Sequence, residues 1–256
     1  MIGVFDSGLG GLSVLIEIKM LAPNADLLYV ADRARAPYGN RSLDEVRSMS
    51  HEVATWLIQQ GAETLVVACN TASAAALDSL RESGQEIPII GMEPAVKPAA
   101  AASETGVIGV FATEATFQGR LFESVVGDHA RNAQVVTRAC PEWVEMVERG
   151  EFAGPDVDST ITAALIPMID EGADVLVLGC THFSFLRPVI ERIAGPGITV
   201  IDPAPAVAAQ TIRVAGVIGG EGRVRLAASG DPSVFARLAS DVGIVDSSGE
   251  VLPFPE

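Results

Sequence analysis

Residues 63–71 read ETLVVACNT, and residues 173–182 read ADVLVLGCTH. The first stretch follows Gly61 and Ala62, and the second follows Gly172. Each runs through a short apolar segment typical of a buried strand and then reaches a cysteine followed by polar residues. Open α/β sheets bind ligands at the carboxyl ends of their strands. We therefore expect Cys69 and Cys180 to face one shared cleft, with one thiol from each of two similar lobes.

The rest of the chain follows the same alternation of strands and helices. Ser42 before two acidic residues predicts the start of a helix that Gly61 closes. Strands are expected at residues 2–5, 26–30, 64–68, 87–90, 107–111, 133–137, 175–178, 199–201 and 223–228. Helices are expected at residues 12–20, 43–60, 71–83, 116–126 and 159–171, after 202–203 and after 231–232. This alternation predicts an α/β fold of two pseudo-symmetric three-layer α/β/α lobes, with mainly parallel sheets and the site between the lobes.

Composition and charge exclude several classes of function. The 256 residues include 17 basic and 33 acidic side chains, for a net charge of -16, and Lys and Arg are not clustered. Nucleic-acid binding is therefore not expected. Apolar stretches fall short of the ~18 to 20 residues that span a bilayer, and no basic segment follows Met1, so we expect a cytoplasmic protein without membrane contact. Three cysteines without close spacing and three histidines predict reduced thiols and no metal site.

Chemistry distinguishes two of the three cysteines. Cys69 and Cys180 precede small polar residues at expected helix starts, where the helix dipole lowers a thiol pKa and attracts a carboxylate. His182 lies two residues after Cys180 and can stabilise a thiolate or pass a proton. Cys140, next to Pro141, is interpreted as a buried small hydrophobe.

A glycine-rich loop follows the first strand. Its pattern, Gly8-x-Gly10-Gly11 with Ser13, does not match the full dinucleotide fingerprint. Asp6 and Ser7 at the carboxyl end of this strand remain a candidate site pair.

Several motifs together resemble those of the glutamate racemases, cofactor-independent enzymes of the aspartate/glutamate racemase superfamily. The matching motifs are GVFDSGLGG at 3–11, AD at 31–32, PYG at 37–39, VACNTA at 67–72, GVIG at 106–109, CP at 140–141 with Glu148, LGCTHF at 178–183 and SGDP at 229–232. The resemblance covers nearly the whole chain. It implies a first lobe of residues 1–95 with 206–256, because the tail returns to that lobe, and a second lobe of residues 96–205.

The resemblance also implies an activity and a site. The activity is racemisation of glutamate without a cofactor, which supplies D-glutamate for peptidoglycan, by a protein that can form a homodimer. In the implied mechanism Cys69 takes the α-proton from D-glutamate and Cys180 takes it from L-glutamate. The implied catalytic residues are Cys69, Cys180, Asp6, Asp32, Glu148 and His182. The implied substrate-binding residues are Asp6, Ser7, Tyr38, Gly39, Asn70, Thr71, Thr116, Thr181 and His182.

Chemistry from the residues agrees with this implication but leaves alternatives open. Inverting a stereocentre by proton transfer needs an acid and a base on opposite faces, and one thiol per lobe meets that need. An aspartate racemase would share the design. Its substrate is shorter than glutamate by one methylene, which is worth only ~1 to 3 kcal/mol of discrimination between the two substrates. A cysteine hydrolase and a non-catalytic binding module are the other candidates; a hydrolase needs one thiol, and a module would tolerate loss of either.

Overall fold

A computed structural model describes residues 1–84, 86–130, 133–216 and 219–255. The remaining six residues of the chain lie outside the described residues. Within these ranges every strand pairing is parallel. The strands are β1 (Ile2–Asp6), β2 (Leu27–Ala31), β3 (Thr64–Val67), β4 (Ile89–Gly91), β5 (Val107–Ala112), β6 (Gln134–Ala139), β7 (Val175–Leu178), β8 (Thr199–Ile201), β9 (Val224–Ala228) and β10 (Leu252–Pro253).

Helices connect these strands. They are α1 (Leu12–Leu21), α2 (Leu43–Gln59), α3 (Asn70–Glu82), α4 (Val96–Ala102), α5 (Glu114–Gln118), α6 (Arg120–His129), α7 (Pro141–Glu148), α8 (Pro155–Asp170), α9 (Arg187–Ala194), α10 (Ala204–Ala215) and α11 (Pro232–Asp241). Short 3-10 helices lie at Arg33–Arg35, Tyr38–Asn40 and Thr181–Leu186.

The described strands form two sheets with a common order. The larger sheet runs β10-β9-β2-β1-β3-β4, and the smaller runs β6-β5-β7-β8. Strands β2-β1-β3-β4 and β6-β5-β7-β8 follow the same order, so each sheet holds its first strand between its second and third. The predicted α/β class and the pseudo-symmetry of the two halves are confirmed. Strands β9 and β10 of the tail join the larger sheet, while the exact lobe boundaries stay a prediction.

Local capping explains where α2 begins. The Ser42 hydroxyl accepts from the Glu45 N–H, and the Glu45 carboxylate accepts from the Ser42 N–H at 3.0 Å. This reciprocal capping box satisfies two amide groups that the first helical turn leaves unpaired. The predicted start at residue 43 is confirmed.

The predicted helix 116–126 is wrong, because the segment forms two helices that meet at Gly119. Helix α5 begins earlier, at Glu114, since the Thr113 side chain caps it by accepting from the Thr116 N–H. Gly119 is extended, with φ -75° and ψ 138°, and a Cβ there would lie 2.6 Å from Ala74 Cβ. The close approach of α3 therefore favours a glycine at the break.

Among the α-helices and strands of the described residues, α4, α7, α9 and β10 were not expected from the sequence. Helix α7 matters most for the site, because it carries Glu148. It begins with Pro141 at its first position, where a missing N–H costs nothing. Helix α8 also starts earlier than the predicted residue 159, again at a proline, Pro155.

Aromatic packing places α7 against the smaller sheet. The Trp143 ring of α7 lies 4.9 Å from the ring of Phe111 on β5 and 4.9 Å from the ring of Phe183, which follows β7. All three side chains are fully buried. Cys140 is also fully buried in this cluster, as predicted, and burial raises the pKa of its thiol to about 12. The cluster fixes α7 relative to the segment after β7.

Among the described residues, none of the helices combines the length and apolar character needed to cross a membrane.

Candidate active site

A cavity of about 150 Å³ lies between the two sheets, at the carboxyl ends of their strands. Drug-sized ligands need about 300 to 1000 Å³, so this cavity suits a smaller molecule. Nine predicted site residues line it: Ser7, Tyr38, Gly39, Cys69, Asn70, Thr71, Cys180, Thr181 and His182. The prediction that both thiols share one cleft therefore agrees with the geometry.

Cys69 caps the N-terminus of α3. Its sulfur accepts a hydrogen bond from the Ala72 N–H at 3.4 Å, and the side chain is buried. Burial raises the pKa of the Cys69 thiol well above its usual value, the charge of Asp6 adds to this rise, and the Ala72 N–H opposes it. Cys69 is therefore a protonated thiol at neutral pH, able to donate a proton.

Cys180 begins a line of three polar side chains. Its sulfur lies 3.7 Å from His182 Nδ1, and His182 Nε2 lies 2.8 Å from Glu148 Oε1. Burial alone would lower the pKa of His182, but its contacts with Cys180 and Glu148 outweigh burial and raise that pKa well above its usual value. Burial would likewise raise the pKa of Glu148, yet the His182 contact, the Leu9 N–H and Arg33 together lower it to about 2. The line thus holds a carboxylate and an imidazolium behind the Cys180 sulfur.

Two predicted acids lie one contact behind the cavity wall. Asp6 accepts from the Thr181 hydroxyl at 3.1 Å and from the Gly8 N–H at 2.8 Å. Burial raises the pKa of Asp6, and the positive charge of His182 opposes that rise only in part. Asp32 is fully buried and accepts from the Tyr38 hydroxyl at 2.5 Å. Tyr38, which lines the cavity, therefore connects Asp32 to it.

Threonines from both halves meet beside the cavity. The Thr71 hydroxyl lies 2.8 Å from that of Thr113, and Thr113 lies 2.9 Å from Thr116. Thr113 lines the cavity, whereas Thr116 is buried behind it. Thr116 thus supports the lining through Thr113.

The Asn70 side chain has an unusual environment. Both its amide nitrogen and its amide oxygen are buried without a hydrogen-bond partner. Burying an unpaired amide is costly. Because Asn70 lines the cavity, a polar ligand there can supply the missing partners.

Comparison with known proteins places this geometry in a family. The family model described as Asp/Glu/hydantoin racemase matches residues 2–211. The chain belongs to this family. A glutamate racemase of Roseiflexus sp. is 46% identical over 93% of this chain and 90% of its own length.

Solved structures agree with this racemase family. The glutamate racemase isoform RacE1 of Bacillus anthracis superposes with a TM-score of 0.86 at 32% identity, covering 100% of this chain and 97% of its own. The Escherichia coli glutamate racemase, solved with L-glutamate and the activator UDP-MurNAc-ala, has a TM-score of 0.87 at 27% identity, covering 98% and 96%. These findings confirm the resemblance to glutamate racemases and the enzyme class it implied, an isomerase acting on amino acids.

Sequence reasoning missed four polar residues that line the cavity of this racemase-family site, Asn40, Thr113, Glu114 and Glu145, and three polar residues behind it. Arg33 donates to Glu148, Arg35 donates to Asp32, and Ser229 donates to Asp32. Arg33 and Arg35 follow Asp32 closely in sequence. The motif match at Ala31-Asp32 could therefore have indicated these two arginines as well. Ser229 belongs to the tail motif, but nothing in its spacing indicates contact with residues so far away in sequence.

The glycine-rich loop of this racemase-family chain packs directly on the Cys180 side of the site. A Cβ at Gly10 would collide with His182 Nδ1 and would lie 2.6 Å from the Thr181 hydroxyl. We expect Gly10→Ala to displace His182 and lower kcat/KM by at least about 10-fold, since misplacing a catalytic group by about 1 Å can cost about 10²-fold in rate. Steady-state kinetics on folded protein measures this. Gly197→Ala is the matched control, because a Cβ there meets nothing within 4 Å; equal activity of both variants would contradict the steric argument.

Proposed function

We propose that this protein interconverts L-glutamate and D-glutamate by two-base proton transfer between Cys69 and Cys180. One observation carries the proposal: a buried thiol from each of two similarly ordered sheets lines the same small cavity. The similarity to glutamate racemases supports glutamate as the substrate. An α-carbon held between the two thiols could lose its proton to one and gain a proton from the other.

The different surroundings of the two sulfurs support a starting state for this reaction. The Cys69 thiol carries a raised pKa and is the acid. The Cys180 sulfur lies 3.7 Å from His182 Nδ1, a contact through which a proton can pass, and Cys180 is the base. In this state Cys180 removes the α-proton of L-glutamate while Cys69 delivers a proton to the opposite face. The reverse assignment follows for D-glutamate, with Cys69 as the base.

Uncharged donors would bind the substrate carboxylates. Of the described residues that line the cavity, none is Lys or Arg. The hydroxyls of Ser7 and Thr71, the unpaired amide of Asn70 and the N-terminus of α3 are available instead. Donors held in place by the fold also stabilise the charge that develops when the α-proton leaves. The protein carries a net charge of -16, so its overall field does not attract a dicarboxylate from a distance. Binding therefore depends on these local donors.

The cellular role is proposed from the resemblance. We propose that the reaction needs no cofactor and that D-glutamate serves peptidoglycan synthesis. The three cysteines are free, which supports the cytoplasmic location, since cytosolic thiols are kept reduced. Assembly into a homodimer stays a prediction.

Hydrogen exchange tests the proposal directly. The protein is incubated in deuterated buffer with L-glutamate or D-glutamate and no added cofactor, while NMR follows α-hydrogen exchange and polarimetry follows inversion. We expect each enantiomer to give the other, with solvent deuterium at the α-carbon of the product. A parallel reaction with aspartate separates the two substrates, because a site fitted to glutamate should be slower with the shorter acid. Absence of exchange with glutamate would refute the proposal.

A further inference from the structure

The geometry points to Arg33 as a positioning residue for the Cys180 half of the site, an inference that rests on the proposed function. Arg33 lies outside the predicted site residues and outside the cavity lining. It belongs to the 3-10 helix Arg33–Arg35, just after β2 in the larger sheet. Its partner, Glu148, ends α7 beside the smaller sheet. The contact therefore joins the two halves of the molecule.

The two oxygens of Glu148 have different partners. Oε1 accepts from the Leu9 N–H at 2.5 Å and faces His182 Nε2 at 2.8 Å. Oε2 accepts from Arg33 Nε at 3.2 Å. The Arg33 and Glu148 side chains are only 18% and 17% exposed. Arg33 thus fixes the rotation of the carboxylate and leaves Oε1 directed at His182.

Residues on both sides of Arg33 are held by one side chain from the tail. The Ser229 hydroxyl donates to Asp32 Oδ1 at 2.9 Å and accepts from the Ala34 N–H at 2.9 Å. Ser229 is fully buried. Because its neighbours on either side are anchored, the backbone of Arg33 has little freedom, and the guanidinium is directed at Glu148.

Other charges near the pair are consistent with this role. Asp231, which caps α11, faces Arg33 from the tail; hydrogen bonds from Ser233 and Val234 are the main causes that lower the Asp231 pKa, and the Arg33 charge is a smaller one. Asp6 and His182 are the charged groups that face Glu148 from the other side. Arg33 therefore supplies a positive charge to a cluster with three carboxylates and a single imidazolium. Without it, Glu148 would be less firmly ionised and His182 less firmly held against Cys180.

Arg33→Met, which keeps the length of the stem but removes the charge and the donors, tests the inference. We expect kcat for glutamate to fall about 10-fold or more with little change in KM, since a hydrogen bond to a charged group is lost. Arg33→Lys restores the charge and should recover most of the activity. Arg192→Met is the control, because it breaks an exposed ion pair with Asp158 and should leave kinetics unchanged.

Thiol labelling separates positioning from general destabilisation. Under limiting iodoacetamide, mass spectrometry measures the alkylation rates of Cys69 and Cys180 separately. We expect Arg33→Met to slow alkylation at Cys180 several-fold and to leave Cys69 unchanged, whereas a loosened fold would speed both. In a Glu148→Gln background the added Arg33→Met change should lower kcat by less than about 2-fold, because the two residues act on one path.

The outcomes distinguish this inference from the proposed function. If the unmodified protein exchanges no α-hydrogen of glutamate, the proposed function fails, while the labelling rates still report on Arg33. If the unmodified protein is active and Arg33→Met retains its kcat and its labelling pattern, the positioning role is refuted. Equal changes at both thiols would also refute it.

Discussion

Replacing either cavity thiol by a hydroxyl, as Cys69→Ser or Cys180→Ser, is expected to lower racemisation by at least about 10³-fold. A serine hydroxyl is a much weaker acid than a thiol, and an acid or base matched to the reaction contributes about 10² to 10⁴-fold. Because enantiomers have equal free energies in water, kcat/KM must fall equally in both directions for each variant. Polarimetry from either enantiomer measures the loss.

Exchange without inversion tests which thiol serves which enantiomer. Cys180→Ser retains the base assigned to D-glutamate, so any residual α-hydrogen exchange in deuterated buffer should occur with D-glutamate. Cys69→Ser should show the opposite preference. Residual exchange with the other enantiomer in each case would contradict the assignment, even if racemisation is lost.

Cys140→Ser is the matched control for both variants. Cys140 carries the third thiol, but it is buried in the core, and its sulfur contacts the Arg138 carbonyl at 3.9 Å. The shorter Cβ–O bond leaves a serine hydroxyl beyond hydrogen-bond distance of that carbonyl, so this variant should lose some stability but keep its fold and its turnover. Circular dichroism would check that all three variants are folded. Substantial turnover in Cys69→Ser or Cys180→Ser would refute the two-base mechanism.

The strand ends were predictable from the sequence because their signal is local. A buried strand followed by a cysteine and small polar residues indicates both the strand and where its carboxyl end lies. The structure brings Cys69 and Cys180 to one cavity, as the topology of parallel sheets requires. The common order of the two sheets explains why two separate segments share one pattern.

The polar support behind the thiols was only partly predictable, since it depends on contacts between distant segments. Glu148 was found through resemblance alone, because α7 has no strong sequence signal apart from Pro141 at its start. Ser229 reaches Asp32 across 197 positions of the chain, a pairing that no periodicity encodes. The break at Gly119 likewise depends on the position of Ala74. Such features arise where elements that lie far apart in sequence pack against each other in the fold.

Glu148→Gln should affect activity and stability together. The amide oxygen of glutamine can still accept from Leu9 and His182, but its NH₂ group would face the Arg33 donor at the position of Oε2. Without the carboxylate the His182 imidazolium loses its counter-charge. We expect kcat to fall about 10²-fold, measured at saturating glutamate.

The stability of this variant should depend on pH in a defined direction. The pKa of Glu148 falls from 4.5 to about 2 in the fold, a change worth up to about 3 kcal/mol of folding free energy at neutral pH. Because the folded pKa is the lower one, this contribution is present above about pH 4.5 and is lost as the pH falls towards 2. The pKa of His182 is raised instead, so its contribution is full below its ordinary value of 6.5 and is lost as the pH rises through the folded pKa.

Urea unfolding at several pH values measures both contributions as a difference between the parent protein and Glu148→Gln. The difference should be largest near pH 5 to 6, where both groups contribute in full, and should shrink as the pH falls towards 2. Glu151→Gln is the control, because Glu151 forms an exposed pair with Arg149, and exposed pairs stabilise little. A difference for Glu148→Gln that stayed constant from pH 6 to pH 2.5 would show that the carboxylate is not ionised against His182 and Arg33, and the charged line behind Cys180 would have to be abandoned.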